Sequence, residues 1–409
     1  MASASNAAGK PQTHKPGDIA GEPDRSKLIT IDRPRFRKGP IDIPFVMIIL
    51  TLLVVGLIMM FSAGYAWAIN EDLPGEYYFM RQLGFAVAGL MLCFVASHID
   101  YHIYKKAFIV IGLAAFSLMN LVLCRVGPFA NPHNDAYRWI KFPGIPEYQP
   151  SEIAKFAIIL IFAVIISKNH KKMKRFTWGI LPFAAVLAVF AGLVIIEPHI
   201  SATIIICAIG ASMMLVGGTR FGHLLIFGIL GGAALIGIVY LMFKMGYTYI
   251  GERLTSMLDT MNTGAAETWQ TRQSLIAIGS GGWFGLGLGQ SRQKFMYLPE
   301  SKNDFVFAIV CEELGFFGAM IVMLIFVLLI MRGFHIAANA PDKLGMMLAY
   351  GLTFQIGIQA LLNIAVVTNT IPNTGISLPF FSYGGTALIM QIAQMGIVLN
   401  ISRQSLIEN

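Results

Sequence analysis

Apolar runs of roughly twenty residues recur from residue 43 almost to the end of the chain, each closed by a short polar or charged segment. They cover residues 43–62, 82–97, 107–123, 153–167, 177–196, 201–216, 221–245, 304–331, 344–367 and 380–401. A helix rises about 1.5 Å per residue, so about twenty such residues cross the roughly 30 Å hydrocarbon layer of a bilayer. Several runs are shorter than that, which predicts tilt or burial inside a bundle. The pattern therefore predicts an all-α polytopic membrane bundle of about ten transmembrane helices.

Composition agrees. Charged residues make up 13% of the chain, against about 25% in soluble proteins. So little charge cannot cover a water-facing surface of this size, and a soluble protein with an oversized core is excluded. The net charge of +8 sits in a few short segments, where it reads as a topology signal and not as a nucleic-acid surface. Cys93, Cys124, Cys207 and Cys311 lie far apart, without metal spacing or a disulfide framework, and read as small apolar fillers.

Residues 1–40 are rich in Pro, Gly, Ser and charge and lack an apolar run. They predict a disordered basic tail, not a signal peptide, which ends in Arg33, Arg35, Arg37 and Lys38. The remainder, 41–409, predicts one transmembrane domain. Alternate loops differ in charge. One set holds the tail, Lys105–Lys106, Lys168 to Arg175, Arg220, and Arg332 with Lys343. The other holds Glu71, Asp72, Glu76 and Glu197, together with the two longest loops, at about 124–152 and 246–303. The more basic set faces the cytoplasm, so both termini are predicted inside and both long loops outside.

Long loops within a compact domain are usually functional or disordered, and these two are not disordered in composition. The second interleaves Trp269, Leu275, Ile276, Trp283, Phe284 and Phe295 with Arg253, Arg272, Arg292 and Lys294. That mix suits a surface lying on the membrane or a lid over a cavity. Its glycines from Gly279 to Gly289 lack the P-loop spacing. They leave open close backbone packing or an approach to a pyrophosphate.

Candidate chemistry gathers at the same face. Asp304 stands where the second loop enters the eighth run. It reads either as a helix N-cap or as a partly desolvated carboxylate fit for general-base work. Glu312 and Glu313 follow, roughly 12 Å further in at helical rise. A charge at the bilayer centre costs at least about 3 kcal/mol, so two adjacent acids need a partner or a wet cavity. At about 100° per residue Glu312 falls nearer the side of Asp304 than Glu313 does. Glu152 and Lys155 are spaced to pair on one helix face, with Arg138 and Trp139 just before them. Glu197-Pro198-His199 forms a short outer turn, whose histidine reads as a titrating or as a packing residue. Pro372 to Thr386 packs prolines and glycines between the last two runs. Such broken backbone at membrane depth needs a protein-lined or wet cavity around it, or forms a re-entrant turn.

Taken together, these segments resemble the SEDS family (shape, elongation, division and sporulation), whose members include FtsW, RodA and SpoVE. The resemblance rests on Arg138-Trp139-Ile140 with Gln149-Pro150-Ser151-Glu152 and Lys155, and on Pro299-Glu300 with Asn303-Asp304-Phe305 and Glu312-Glu313-Leu314-Gly315. Leu378-Pro379-Phe380-Phe381-Ser382-Tyr383-Gly384-Gly385 completes it. It runs from the first span to the last. Glu197-Pro198-His199 departs from the Gln-Pro-Asp of many members, and Asn303 from their threonine. The stretch from Ile371 to Gly375 is more like division and sporulation members than RodA.

The resemblance implies a peptidoglycan glycosyltransferase that polymerises lipid II at the outer face of the cytoplasmic membrane, with ten spans. It implies a class B penicillin-binding protein as partner and maps the family's essential aspartate onto Asp304. Asp304 would act as general base on the acceptor GlcNAc 4-hydroxyl, which attacks the donor MurNAc C1 with inversion. Arg138, Arg253 and Lys294 are candidate cations for the leaving pyrophosphate. A divalent cation such as Mg²⁺ could assist, and no organic cofactor is expected. Glu152, Lys155, Glu300, Glu312, Ser382 and Tyr383 are expected to bind substrate or to hold the cavity walls. The rival class is a flippase or transporter of a lipid-linked precursor, which would need a midplane site open to both sides. A scaffold would leave the outer motifs without a task.

Overall fold

The computed structural model describes residues 39–126, 130–133, 136–141, 147–197, 199–244 and 266–404. The predicted tail, apart from its last two residues, and Arg253 lie outside the described residues. Each of the ten apolar runs forms a helix. They are α1 (Ile43–Asn70), α2 (Tyr77–His98), α3 (Ala107–Val126), α4 (Pro150–Asn169), the one-turn α5 (Phe176–Gly179) leading into α6 (Leu181–Ile196), α7 (Ile200–Val216) and α8 (Phe221–Lys244). After a further helix, α9 (Ala266–Gly281), come α10 (Val306–Ala338), α11 (Lys343–Val367) and α12 (Gly385–Arg403). Among the described residues, eight of the spans are long and apolar enough to cross a membrane, and α7 and α8 supply shorter apolar stretches. The chain is a multi-pass membrane protein.

Two loop elements go beyond the ten-run pattern. Antiparallel strands β1 (Ala130–His133) and β2 (Ala136–Ile140) form a hairpin in the first long loop. Helix α9 lies in the second. Neither carries an apolar run, so hydropathy alone passes over them.

The central stretch of α4 is 72% buried, against 22% for α2 and α3, which makes α4 the inner post of the bundle. It packs against α3, α7 and α11. Large apolar side chains on the outer faces of α1, α2, α8 and α10 are exposed, as a lipid-facing surface requires. At the basic end, Asp42 caps α1 by accepting the Phe45 N–H at 3.0 Å. It also takes both Arg332 Nε (3.0 Å) and a terminal guanidinium nitrogen (2.8 Å), so the start of α1 is pinned to the inner part of α10.

Helix α10 breaks at Gly315, with φ 69° and ψ −170°. A break inside a membrane strands backbone groups that have no water to turn to. Here the outer loop replaces what the helix loses. The N–H groups of Phe316 and Phe317 donate to Gly282 O (2.9 Å) and Trp283 O (3.1 Å). The carbonyls of Glu312 and Glu313, which an unbroken helix would have paired with those same N–H groups, accept from Leu286 N and Gly287 N at 3.0 Å each. The two acids then fasten the rest of the loop. Glu312 accepts from the Ser291 hydroxyl (2.5 Å) and the Arg292 N–H (3.0 Å). Glu313 accepts from the amides of Gly289 (3.0 Å) and Ser291 (3.2 Å), from the Ser62 hydroxyl (2.5 Å) and from the Lys294 ammonium (3.0 Å). Glu312, Glu313 and Lys294 are all buried. The glycines around Gly285 thus serve close backbone packing: a Cβ on Gly285 would lie 2.2 Å from Glu313 O.

Replacing Gly315 by alanine forces a side chain into a backbone region open only to glycine and sets its Cβ 2.2 Å from Gly285 N. We expect a loss of about 3 kcal/mol, read as a lower unfolding temperature in detergent. Gly112→Ala, where a Cβ meets nothing within 4 Å, serves as the neutral control. Lys294→Met leaves Glu313 buried without its cation and is expected to cost about 3–5 kcal/mol. Adding Glu313→Gln should recover part of that loss in a double-mutant cycle, whereas additive losses would refute the pairing.

Candidate functional site

Asp304 sits in a turn, one residue before the cap position of α10, which Phe305 occupies. The N-cap reading therefore does not hold. The comparison of helical angles between Asp304 and Glu312 fails for the same reason, because the helix starts only at Val306. The turn is closed by the Asn303 and Phe305 N–H groups, which donate to Glu300 O at 3.0 and 3.3 Å. The Asn303 side-chain amide donates to Glu300 Oε2 at 2.5 Å. Glu300 itself has φ 56°, in the left-handed region, so this turn stores strain that its partners hold in place.

Asp304 is half-buried. The Asn363 amide fixes its backbone by donating to Asp304 O at 2.7 Å and to Ile376 O at 2.6 Å. One side chain thus ties the aspartate turn to the loop between α11 and α12, the last loop. Gly375, with φ 67°, brings that loop against the carboxylate: a Cβ there would stand 3.2 Å from Asp304 Oδ2. The loop is held from two further sides. The Ser201 hydroxyl at the start of α7 donates to Thr374 O, and the Asn373 amide donates to Gln270 on α9 at 2.9 Å.

Arg138 enters from β2. Burial pushes its guanidinium below the ordinary value, while the negative charges of Asp304 and then Glu197 pull it back up. The hairpin, the aspartate turn and the α6–α7 turn therefore converge electrostatically on one half-buried cation. Glu197 and His199 are both buried, and His199 Nε2 lies 3.4 Å from the Gln149 amide nitrogen.

On α4, Lys155 pairs with Glu152 at 2.7 Å and donates to Gln359 Oε1 of α11 at 3.0 Å. The Gln359 amide then donates to Ser377 O at 3.0 Å. This chain of contacts carries the rigid inner post to the last outer loop. Ser382 and Tyr383 belong to the same loop. The Ser382 hydroxyl oxygen accepts from Leu378 N at 2.7 Å, its carbonyl accepts from the Gln82 amide at 3.0 Å, and Tyr383 N donates to Lys302 O at 2.9 Å.

The structure thus brings Asp304, Glu300 and Arg138 together, and sets Glu152, Lys155, Ser382 and Tyr383 in the supports of the last loop. Glu312 and Lys294 go to the clasp at the α10 break. Among the described residues no three Asp, Glu, His or Cys side chains gather into a metal-holding group.

Lys302 is a residue that sequence reasoning passed over. It is buried, with its ammonium 3.6 Å from the Tyr78 ring centroid, 4.5 Å from that of Trp67 and 3.5 Å from Glu71 Oε1. Burial lowers its pKa, and Glu71 followed by Glu300 opposes the shift. The available signal was a lysine two residues from the candidate carboxylate, with acids and aromatics in the facing loop. Gln359 and Gly375 were equally silent, because only the folded contacts give them a task.

Residues 44–406 match the model of a family described as cell cycle protein, that of FtsW, RodA and SpoVE. The chain is 36% identical over 361 residues to the probable peptidoglycan glycosyltransferase FtsW of Geobacter sp. (strain M18), covering 88% of this chain and 96% of that one. It is 38% identical over 371 residues to stage V sporulation protein E of Bacillus subtilis (strain 168), covering 90% and 99%. A chain from a solved peptidoglycan synthase complex, described as coordinating polymerization and crosslinking, superposes with a TM-score of 0.73 at 24% identity, covering 89% of this chain and 98% of that one. The rod shape determining protein RodA of Thermus thermophilus superposes with a TM-score of 0.63 at 23% identity, covering 90% and 98%. With the family model matched across nearly all of the membrane domain, and with relatives above 30% identity covered almost end to end, the chain belongs to the FtsW/RodA/SpoVE family of cell cycle proteins.

Proposed function

We propose that this peptidoglycan glycosyltransferase polymerises lipid II at the outer face of the cytoplasmic membrane, with Asp304 as general base. The supporting observation is the setting of Asp304: half-buried, backbone-anchored by Asn363, against Gly375, and in the field of Arg138. A half-buried carboxylate at the edge of the membrane, with a guanidinium in its field, suits general-base work. The base withdraws the proton of the GlcNAc 4-hydroxyl as that oxygen attacks C1 of the donor MurNAc. The C1–oxygen bond to undecaprenyl pyrophosphate breaks on the opposite face, which gives inversion. Arg138 is the described cation best situated to meet the departing diphosphate. Lys294 is committed to Glu313. A divalent cation such as Mg²⁺ would be held by one or two carboxylates together with the substrate phosphates, where it would help to offset the charge of the diphosphate.

The likeness to a chain of a peptidoglycan synthase complex supports a class B penicillin-binding protein as partner, cross-linking the glycan made here. The charge pattern of the loops supports cytoplasmic termini. The relatives support a role in division or sporulation.

Supplied with lipid II and its cognate penicillin-binding protein, the native chain should yield glycan polymer on gels. Asp304→Asn with a native unfolding temperature should lose about 10²–10⁴ in rate, the usual contribution of a general base. Equal polymerisation by both would remove Asp304 from the chemistry. No polymer from either, with Mg²⁺ and partner present, would shift the weight to lipid transport. Gly375→Ala tests the geometry separately. Its Cβ would stand 3.2 Å from Asp304 Oδ2 at a φ of 67° that disfavours a side chain, so the carboxylate or the loop must shift slightly, and kcat is expected to fall by about 10-fold, less than the roughly 100-fold of a full 1 Å misplacement.

A further inference from the structure

Lys302 buries an ammonium where a methionine of similar length would fill the space without the cost of desolvating a charge. Its surroundings say what the charge holds. The ammonium lies over Tyr78 at the start of α2, beside Trp67 near the end of α1, and 3.5 Å from Glu71 in the turn between them. The other Glu71 oxygen accepts from the Tyr78 hydroxyl, and the Trp67 indole N–H donates to Ser301 Oγ at 2.8 Å. The α1–α2 hairpin therefore grips Ser301 and Lys302 as a unit. The Lys302 carbonyl in turn accepts from Tyr383 N at 2.9 Å, and the Tyr383 ring stands edge-on to Tyr78 with centroids 5.1 Å apart. Three outer segments meet at this one side chain, two residues before Asp304.

We propose that Lys302 is a positioning residue for the transferase reaction: its caged ammonium locks the α1–α2 hairpin to the turn that carries Asp304 and so fixes the carboxylate against the last outer loop. The inference rests on the reading of Asp304 as the base. Asn363 holds the turn at Asp304 O, while Trp67 and Tyr383 hold it at Ser301 and at the Lys302 carbonyl. The Lys302 ammonium, on the other side of Asn303, ties those contacts to Glu71 and Tyr78 and so stiffens the α1–α2 side of the turn. Strain at Glu300 sharpens the need, because a left-handed non-glycine residue relaxes when its neighbours let go. Lys302 is enclosed by the hairpin and reaches Asp304 only through the backbone, so it acts on catalysis without touching substrate.

The test is initial polymerisation rate against lipid II concentration, for the full chain with its partner, in Lys302→Met, Glu71→Gln, the double variant and Asp304→Asn. Unfolding temperatures are measured alongside. Lys302→Met and Glu71→Gln should each lower kcat between about 10-fold and 100-fold, the scale of a misplaced catalytic group, with KM unchanged. The double variant should be no worse than the stronger single one, because the cage works as a unit. Glu71 is 39% exposed at its side chain, so Glu71→Gln carries the test if Lys302→Met does not fold. Unchanged kcat in Lys302→Met, or in Glu71→Gln where that variant carries the test, overturns the proposal while an inactive Asp304→Asn keeps the base assignment. A raised KM at native kcat also overturns it, since Lys302 would then be binding substrate. A fully active Asp304→Asn removes both readings.

Discussion

Backbone hydrogen bonding at the break in α10 is the constraint on which the half of the molecule that carries Asp304 depends. A glycine opens the helix at residue 315, and four main-chain groups lose their partners where water is scarce. The loop after α9 returns four bonds, two donated and two accepted. Those four bonds set the register of the loop against α10. The acids Glu312 and Glu313 then act as stakes for the glycine-rich run, taking its amides in the way that anions sit in a nest of N–H groups. Two buried carboxylates are tolerable there because amides, hydroxyls and Lys294 surround them.

From that fixed loop the site is built by crossing ties, not by one rigid element. Asn363 joins the aspartate turn to the last loop, Gln359 joins that loop to α4, and Gln270 joins it to α9. Each tie is an amide side chain that can donate and accept at once, which suits the bridging of irregular backbone. The inner post α4 supplies rigidity, and the loops supply Asp304, Glu300 and Arg138. This division is common where chemistry sits on loops over a scaffold.

The bundle was legible in the sequence because membrane helices announce themselves by apolar length. All ten runs became helices, and the loop charges singled out the face where Asp304, Arg138 and the last loop meet. What escaped had no hydropathy signal. The β1–β2 hairpin and α9 are short amphipathic or polar pieces. Helical spacing does not relate Glu312 to Asp304, because the chain turns at Asp304 and α10 begins only at Val306. The partners of the acids were equally hidden: Glu313 lies nineteen residues from Lys294 in sequence and 251 from Ser62. Only the fold converts those separations into contacts.

The distribution of buried positive charge then bears on how the site works. Lys155 and Lys294 each lie within 3.0 Å of a buried carboxylate, so each pair is close to neutral and adds little field at a distance. Lys302 is shared between a carboxylate and two aromatic faces. Arg138 differs, because it answers to Asp304 and Glu197 from two separate loops. When Asp304 takes up a proton, one of those two negative charges disappears, and the guanidinium is left with more of its field to offer an incoming anion. In the proposed reaction, proton transfer to Asp304 and departure of the diphosphate fall in the same step. On that reading both events fall within the field of one guanidinium, Arg138, which Asp304 and Glu197 share across two loops.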